Sequence, residues 1–165
     1  MTRQVLSPQA FSAWIGLLRG HAELMRAMNA RLLAEHGLTA SDYDVLVQLA
    51  DAPEQALRRV DLAEQVLLSP SGITRLLDGL EASGYVEKRR CDHDARVTYA
   101  ALTDAGRQKL KDASQTHHAD VEALFAAHFS DEELADLAEL LGRLGGAQRC
   151  PGAEAAMAEA TAAGD

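Results

Sequence analysis

The stretch that decides the fold is residues 69–106, SPSGITRLLDGLEASGYVEKRRCDHDARVTYAALTDAG. It opens with Ser69-Pro70, an N-cap followed by proline at the first helical position, and a helical pattern then runs to Gly84, a typical residue for closing a helix. The predicted buried stripe of this helix comprises Ile73, Leu76, Leu77 and Leu80. Residues 85–89 and 96–102 are rich in β-branched and aromatic residues and flank a polar segment. The stretch therefore predicts a helix followed by a β-hairpin.

A short helix is predicted just before this stretch, over about 58–66, so that the two helices have the arrangement of a helix-turn-helix. The polar face of the second helix carries small polar residues and one cation, which suits entry of its first turns into the major groove of DNA. The candidate DNA contacts on this helix are Ser69, Ser71, Gly72, Thr74 and Arg75. Taken alone, the same residue types also fit an ordinary solvated helix face.

The charges of the hairpin strengthen the case for DNA. Its candidate DNA contacts are Lys88, Arg89, Arg90, Asp94 and Arg96. Arginine at a narrow hairpin tip suits the minor groove, where negative potential is concentrated. Asp94 can orient an arginine, either Arg96 or Arg75, through a bidentate pair. The alternative interpretation of the tip is a solvated charged loop.

The overall charge is acidic but unevenly distributed. The 165 residues carry a net charge of −9, which on charge alone argues against nucleic acid. Residues 58–110 carry a net charge of +1, however, whereas residues 111–165 carry −8. The middle of the chain is therefore compatible with DNA, and the low overall charge predicts a weak hold on random DNA.

Length and composition predict one soluble domain, over residues 1–146. No apolar run is long enough for a transmembrane helix, no secretory signal is visible, and Cys91 and Cys150 are too few for a disulfide framework. We therefore expect a cytoplasmic protein without membrane partners. Residues 147–165 are rich in Ala, Gly and Glu and predict a disordered tail.

Four further helices complete a mainly α fold of about six helices and one two-stranded hairpin. A long helix is predicted over about 8–36 after Ser7-Pro8, and Thr39 is the predicted cap of the next helix, which ends before Pro53. Thr103 is the predicted cap of a fifth helix, reaching about residue 128, and Ser130 with Glu133 forms the capping box of a sixth. A two-stranded hairpin is too small to be the core of such a fold, so it is either a surface projection or a probe.

Together these motifs resemble the MarR family of winged helix-turn-helix transcriptional regulators, over about residues 8–146. The matching positions are Thr74-Arg75, Leu77-Asp78, Gly84-Tyr85-Val86, Asp94-Ala95-Arg96 at the family's Asp-x-Arg wing motif, and the segment Leu102-Thr103-Asp104-Ala105-Gly106. The upstream Leu38-Thr39 and Tyr43-Asp44-Val45-Leu46 also look like the family's second helix. The chain departs from the family at the hairpin tip, where Cys91-Asp92-His93 stands in place of a frequent proline.

The resemblance implies a homodimer in which residues 8–36 and 103–146 pair with a second copy, while residues 39–102 form the DNA-binding lobe. A first helix of about 40 Å is longer than its own domain needs, which agrees with a partner. We expect a repressor that binds a pseudo-palindromic operator in double-stranded DNA, with half-sites about 10 bp apart, and is released by a small aromatic or phenolic ligand.

The family places its small-molecule pocket between the dimerisation helices and the lobe. The candidate ligand residues are Trp14, Arg19, His21, Met25 and Arg59. The indole of Trp14 suits an aromatic ring, and Arg19 or Arg59 would pair with a carboxylate. Trp14 is also typical of a core or a dimer interface.

No cofactor, metal or enzyme activity is expected. His117 and His118 are adjacent, so on a helix they point about 100° apart and cannot share one metal ion. No nucleophile motif, phosphate loop or carboxylate pair in an evident cleft is visible. The alternatives are a metal- or thiol-responsive regulator of the same fold, the latter through Cys91 beside Arg90, and a helical protein–protein adaptor that does not bind DNA.

Overall fold

The computed structural model describes residues 6–66, 70–90 and 97–144, which contain six α-helices and three short strands. The helices are α1 (Pro8–His36), α2 (Ala40–Asp51), α3 (Arg59–Gln65), α4 (Pro70–Ala82), α5 (Asp104–Ala126) and α6 (Asp131–Gly142). The strands are β1 (Ala56–Arg58), β2 (Val86–Arg90) and β3 (Thr98–Leu102). The predicted fold class, mainly α with a winged helix-turn-helix, is confirmed. The predicted tail, residues 147–165, lies outside the described residues.

Local capping explains where four of the helices begin. Their capping residues are Ser7, Thr39, Thr103 and Ser130, and in each case the side-chain oxygen accepts a backbone N–H of the first turn. The Thr39 oxygen accepts from Asp42 N at 3.1 Å, and the Asp42 carboxylate accepts from Thr39 N at 2.8 Å, which completes a capping box. These predicted caps are confirmed, whereas Ser69 lies outside the described residues.

Gly84 ends the fourth helix and turns the chain into the sheet. Its φ of +75° lies in the left-handed region, which glycine adopts without steric cost. The N–H of Tyr85 donates to Leu80 O and that of Gly84 to Glu81 O, both at 3.0 Å, which is the Schellman pattern. The predicted closing role of Gly84 is confirmed, and it places β2 directly beside the end of α4.

Among the described residues the sheet has three strands, whereas the sequence predicts two. Its order is β1-β3-β2 with antiparallel pairing throughout, and Ala101 of the central strand lies opposite Ala56 on one side and Glu87 on the other. The sequence missed β1 because this strand is only three residues long and pairs with a strand some forty residues away. It also follows an irregular turn in which Glu54 and Gln55 both have a φ of +54°.

One apolar core lies in the segment from α2 to β3, called here the lobe, together with the adjoining parts of α1 and α5. Its largest fully buried side chains are Leu32, Leu38, Val45, Leu46, Leu49, Leu62, Ile73 and Leu77. The first turn of α5 packs closely against the chain at Tyr85, just before β2. A Cβ on Gly106 would overlap the carbonyl oxygen of Tyr85. Only glycine allows α5 to start this close to the sheet.

Helices α1 and α6, called here the outer helices, leave much of their apolar surface exposed. Leu32 is the only buried residue of α1, and α6 has none. The exposed large apolar residues of these regions are Leu6, Phe11, Trp14, Leu17, Leu18, Leu33, Phe129, Leu140, Leu141 and Leu144. Within the described residues, no helix combines the length and apolarity that a membrane span requires.

Candidate nucleic-acid interface

The fourth helix buries one side and presents the other to solvent. Ile73, Leu77 and Leu80 are buried in the core, and Leu76 packs against it, so the predicted stripe is confirmed. On the opposite side, Ser71, Thr74 and Arg75 are exposed and Gly72 is half-exposed. The first two turns of α4 therefore present a small polar surface with one guanidinium group.

The strand β2 places a run of cations beside this helix. Val86 is buried, while Lys88, Arg89 and Arg90 are all exposed on an edge of the sheet. The hairpin tip, with its predicted site residues Asp94 and Arg96 and the candidate thiol of Cys91, lies outside the described residues. Of the ten predicted DNA contacts, the described residues thus hold four on α4 and three on β2.

A carboxylate on α4 joins three elements of the lobe. Glu81 Oε2 lies 2.5 Å from Lys88 Nζ of β2, and Glu81 Oε1 accepts from Arg59 Nη2 of α3 at 3.3 Å. Asp78 Oδ1, one turn earlier on α4, lies 3.9 Å from the same ammonium group. The sequence assigned Lys88 to DNA and Arg59 to a ligand. The spacing of Asp78 and Glu81 on one side of a helix was the signal available for the pairing.

The other cations of this surface, Arg75, Arg89 and Arg90, have weak ion pairs or none with the described residues. Arg89 Nη2 lies 3.8 Å from Glu87 Oε1 in an exposed pair of the kind that contributes little to stability. Within the described residues, neither Arg75 nor Arg90 forms an ion pair. These three guanidinium groups are therefore the positive charges of the surface that are most available to an anionic partner.

A second arginine pair lies at the start of α3. Arg58 Nε and Nη2 donate to the two carboxylate oxygens of Asp61, both at 2.6 Å. This bidentate hydrogen bond holds the pKa of Asp61 below its ordinary value and raises the pKa of Arg58. Both groups stay charged at neutral pH, and Arg58 is largely neutralised by its partner.

The five predicted ligand residues are not gathered into one site by the protomer. Trp14, Arg19 and His21 are exposed on the N-terminal half of α1, Met25 packs against the core, and Arg59 pairs with Glu81. A shallow cavity of about 250 Å³ lies between α1 and α5 and is lined by Ala27, Arg31, Asp120, Ala123, Leu124, Ala127 and His128. None of the five lines it, so the small-molecule site remains a prediction.

Polar contacts connect the lobe to α5. The His117 ring of α5 lies 4.5 Å from the Tyr43 ring of α2, and the Tyr43 hydroxyl lies 3.2 Å from Ser114 Oγ. Burial lowers the pKa of His117, and the neighbouring His118 adds to this effect. In the part of the chain that the structure describes, no three His, Cys, Asp or Glu side chains are grouped to hold a metal ion.

The comparisons with known proteins agree with this geometry. A family model described as MarR family matches residues 36–97. The HTH-type transcriptional regulator MhqR of Bacillus subtilis is 27% identical over 85% of this chain and 94% of its own length. The HTH-type transcriptional repressor YetL of the same organism is 32% identical over 67% of this chain and 66% of its own.

The solved structures give the same answer for the fold. Sco3205, a MarR family transcriptional regulator from Streptomyces coelicolor solved in complex with DNA, superposes with a TM-score of 0.79 at 24% identity. The match covers 89% of this chain and 92% of that protein. The family model and the curated relatives, together with this fold, show that the chain belongs to the MarR family, whose members are transcriptional regulators rather than enzymes.

Proposed function

We propose that the protein is a cytoplasmic repressor that binds a specific sequence of double-stranded DNA as a homodimer and releases it when a small ligand binds. The observation that carries the proposal is the surface shared by α4 and β2. Helix α4, which exposes Thr74 and Arg75, packs against strand β2, which exposes Arg89 and Arg90. An α-helix fits the major groove of B-DNA, and cations beside it fit the phosphates.

The likeness to Sco3205, which was solved with DNA, supports a docking mode for this surface. In that mode the first turns of α4 enter the major groove, and the hairpin of β2 and β3 lies against the neighbouring backbone and minor groove. Thr74 and Arg75 would then contact base edges and phosphates, while Arg89 and Arg90 contact phosphates. Ser69, Asp94 and Arg96 keep their predicted roles at the helix start and at the tip.

The exposed apolar residues of α1 and α6 support the homodimer. A monomer seldom exposes this many large apolar side chains on two of its helices, because each buried leucine contributes about 1.5–3 kcal/mol. Pairing these helices across a two-fold axis would present two copies of α4 to one face of DNA. Such a dimer reads a pseudo-palindrome whose half-sites are about 10 bp apart.

The proposal includes repression of transcription and release of DNA when a small ligand binds. The similarity to the repressor YetL favours repression. A ligand releases DNA only if it binds one spacing of the two lobes more tightly than the other. Since Arg59 is already paired with Glu81, we place the ligand against the α1 residues Trp14, Arg19, His21 and Met25.

Fluorescence anisotropy with a duplex from upstream of the protein's own gene, against a shuffled duplex, tests the DNA-binding step. Wild-type protein should prefer the first duplex at moderate salt, and Arg75→Ala should cost about 1–3 kcal/mol of that affinity. The matched control is Arg143→Ala, which removes the same charge from an exposed residue just after α6 and, at protein concentrations where sedimentation shows the variant to be dimeric, should leave the preference unchanged. Equal affinity of the wild type for both duplexes contradicts the proposal.

A further inference from the structure

The carboxylate of Glu81, on the proposed DNA-binding surface, pairs with cations from two other elements of the lobe. Its side chain is only 18% exposed, and it holds Lys88 of β2 at 2.5 Å and Arg59 of α3 at 3.3 Å. We infer that Glu81 is a positioning residue, which fixes the angle between α4 and β2. Strands β2 and β3 form the hairpin called here the wing. The inference rests on the proposed DNA-binding function and adds to it a residue that touches no DNA itself.

The burial of Glu81 separates this contact from ordinary surface ion pairs. Exposed pairs are weak because water screens them and both side chains lose conformational freedom. Glu81 and Arg59 are instead largely covered, with 18% and 28% of their side chains exposed, so losing the carboxylate leaves a cation poorly solvated. Its two partners lie on separate elements, and the contact therefore constrains how those elements meet.

Lys88 takes a different role from the one its place in a run of three cations predicts. Its ammonium group lies within 4 Å of two carboxylates of α4, those of Glu81 and Asp78. A cation already neutralised in this way releases few counterions when DNA binds. Lys88 therefore serves mainly to hold the strand, while Arg89 and Arg90 remain available to phosphates.

The positioning role and a purely electrostatic role predict opposite signs for Glu81→Gln. If Glu81 were only a negative charge near DNA, its removal would tighten binding to every duplex. If it positions the wing, Glu81→Gln weakens binding to the operator by about fivefold, a size typical of coupled neighbours. Binding to random DNA, which depends on charge and little on shape, then stays equal or becomes slightly tighter.

A double-mutant cycle with Lys88→Met tests the pair itself. Because both changes break the same contact, the double variant should bind the operator within about twofold of either single variant. The dependence of log Kd on log salt should keep its wild-type slope in Lys88→Met, whereas loss of a phosphate contact lowers that slope by about 0.9. Additive effects or the lower slope would overturn the assignment.

The matched control is Glu87→Gln, which removes a carboxylate from the exposed neighbour of Lys88 on the same strand. Operator binding should be unchanged or slightly tighter in this variant. Circular dichroism melting of each variant separates lost folding from lost positioning. If Glu81→Gln does not fold, the salt slope of Lys88→Met still shows whether Lys88 contacts phosphate, which would overturn the assignment, or only pairs with Glu81.

The outcomes distinguish the proposed DNA-binding function from the positioning role of Glu81. A wild-type protein that binds all duplexes equally contradicts the proposed function. An operator-selective wild type whose Glu81→Gln variant binds the operator as well or better overturns the positioning role alone. Selective loss of operator binding, with random binding retained, supports both.

Discussion

The lobe buries its large apolar side chains, whereas the outer helices expose many of theirs. In the lobe, residues such as Leu46 and Leu77 are fully buried within one protomer, whereas α1 exposes Phe11 and Trp14, and α6 exposes Leu140. Burial inside one chain stabilises a unit that needs no partner, while exposed apolar helices gain stability only by association. This comparison is the basis for proposing that the lobe reads DNA and that the exposed helices complete their core with a second copy.

The largest effect should be the loss of stability caused by a cavity in the core of the lobe. Leu46 is 0% exposed in the centre of the core, so Leu46→Ala should lower the free energy of unfolding by about 3 kcal/mol, through lost burial and the cavity left behind. Urea unfolding at a fixed protein concentration measures this loss. Val60→Ala, at a position of the lobe that is 62% exposed, is the control and should change stability by less than about 0.5 kcal/mol. Equal effects of the two variants contradict the assigned core.

A smaller effect, and on a different quantity, should follow from altering α1. Trp14 is 56% exposed in the protomer, and an aromatic residue at an interface commonly contributes about 2 kcal/mol to association. Trp14→Ala should therefore raise the dimer dissociation constant about thirtyfold. Sedimentation analysis over a concentration series measures it, with Val60→Ala again as the control. An unchanged dissociation constant removes Trp14 from the proposed interface.

The smallest effect should come from the seam between lobe and α5, where burial lowers the pKa of His117. The unfolded chain then takes up the proton first, so stability is fully present above the ordinary histidine pKa, about 6.5, and falls as the pH drops below it. His117→Gln should flatten the stability curve between about pH 7 and 5. His21→Gln, at an exposed position of α1, should leave the curve unchanged. Identical curves for wild type and His117→Gln would contradict this role.

The same contrast explains what the sequence predicted and what it missed. Helix ends such as those at Thr39 and Gly84 depend on residues within one turn, so local patterns predict them. Strand β1 depends on pairing with β3, and the contact of Arg59 with Glu81 joins residues twenty-two positions apart. Non-local contacts of this kind leave almost no local signal. The sequence therefore predicted the face that we propose binds DNA, but it did not predict the carboxylate that joins α3, α4 and β2 there.

The predicted ligand site shows the same limit. Trp14 and Met25 lie eleven residues apart, or about 16 Å along α1, and Arg59 is engaged elsewhere. A pocket between two copies would depend on contacts that no single chain contains. The resemblance could therefore suggest these residues, while the protomer alone does not assemble them.

The measurement that tests the central claim most directly is a hydroxyl-radical footprint of the wild-type protein on DNA from upstream of its own gene. A dimer with two self-contained lobes predicts two protected patches, whose centres lie about 10 bp apart on one face of the duplex. The two patches should appear together as protein is added, because one dimer carries both lobes. A single patch, or uniform weak protection along the whole fragment, would contradict the account.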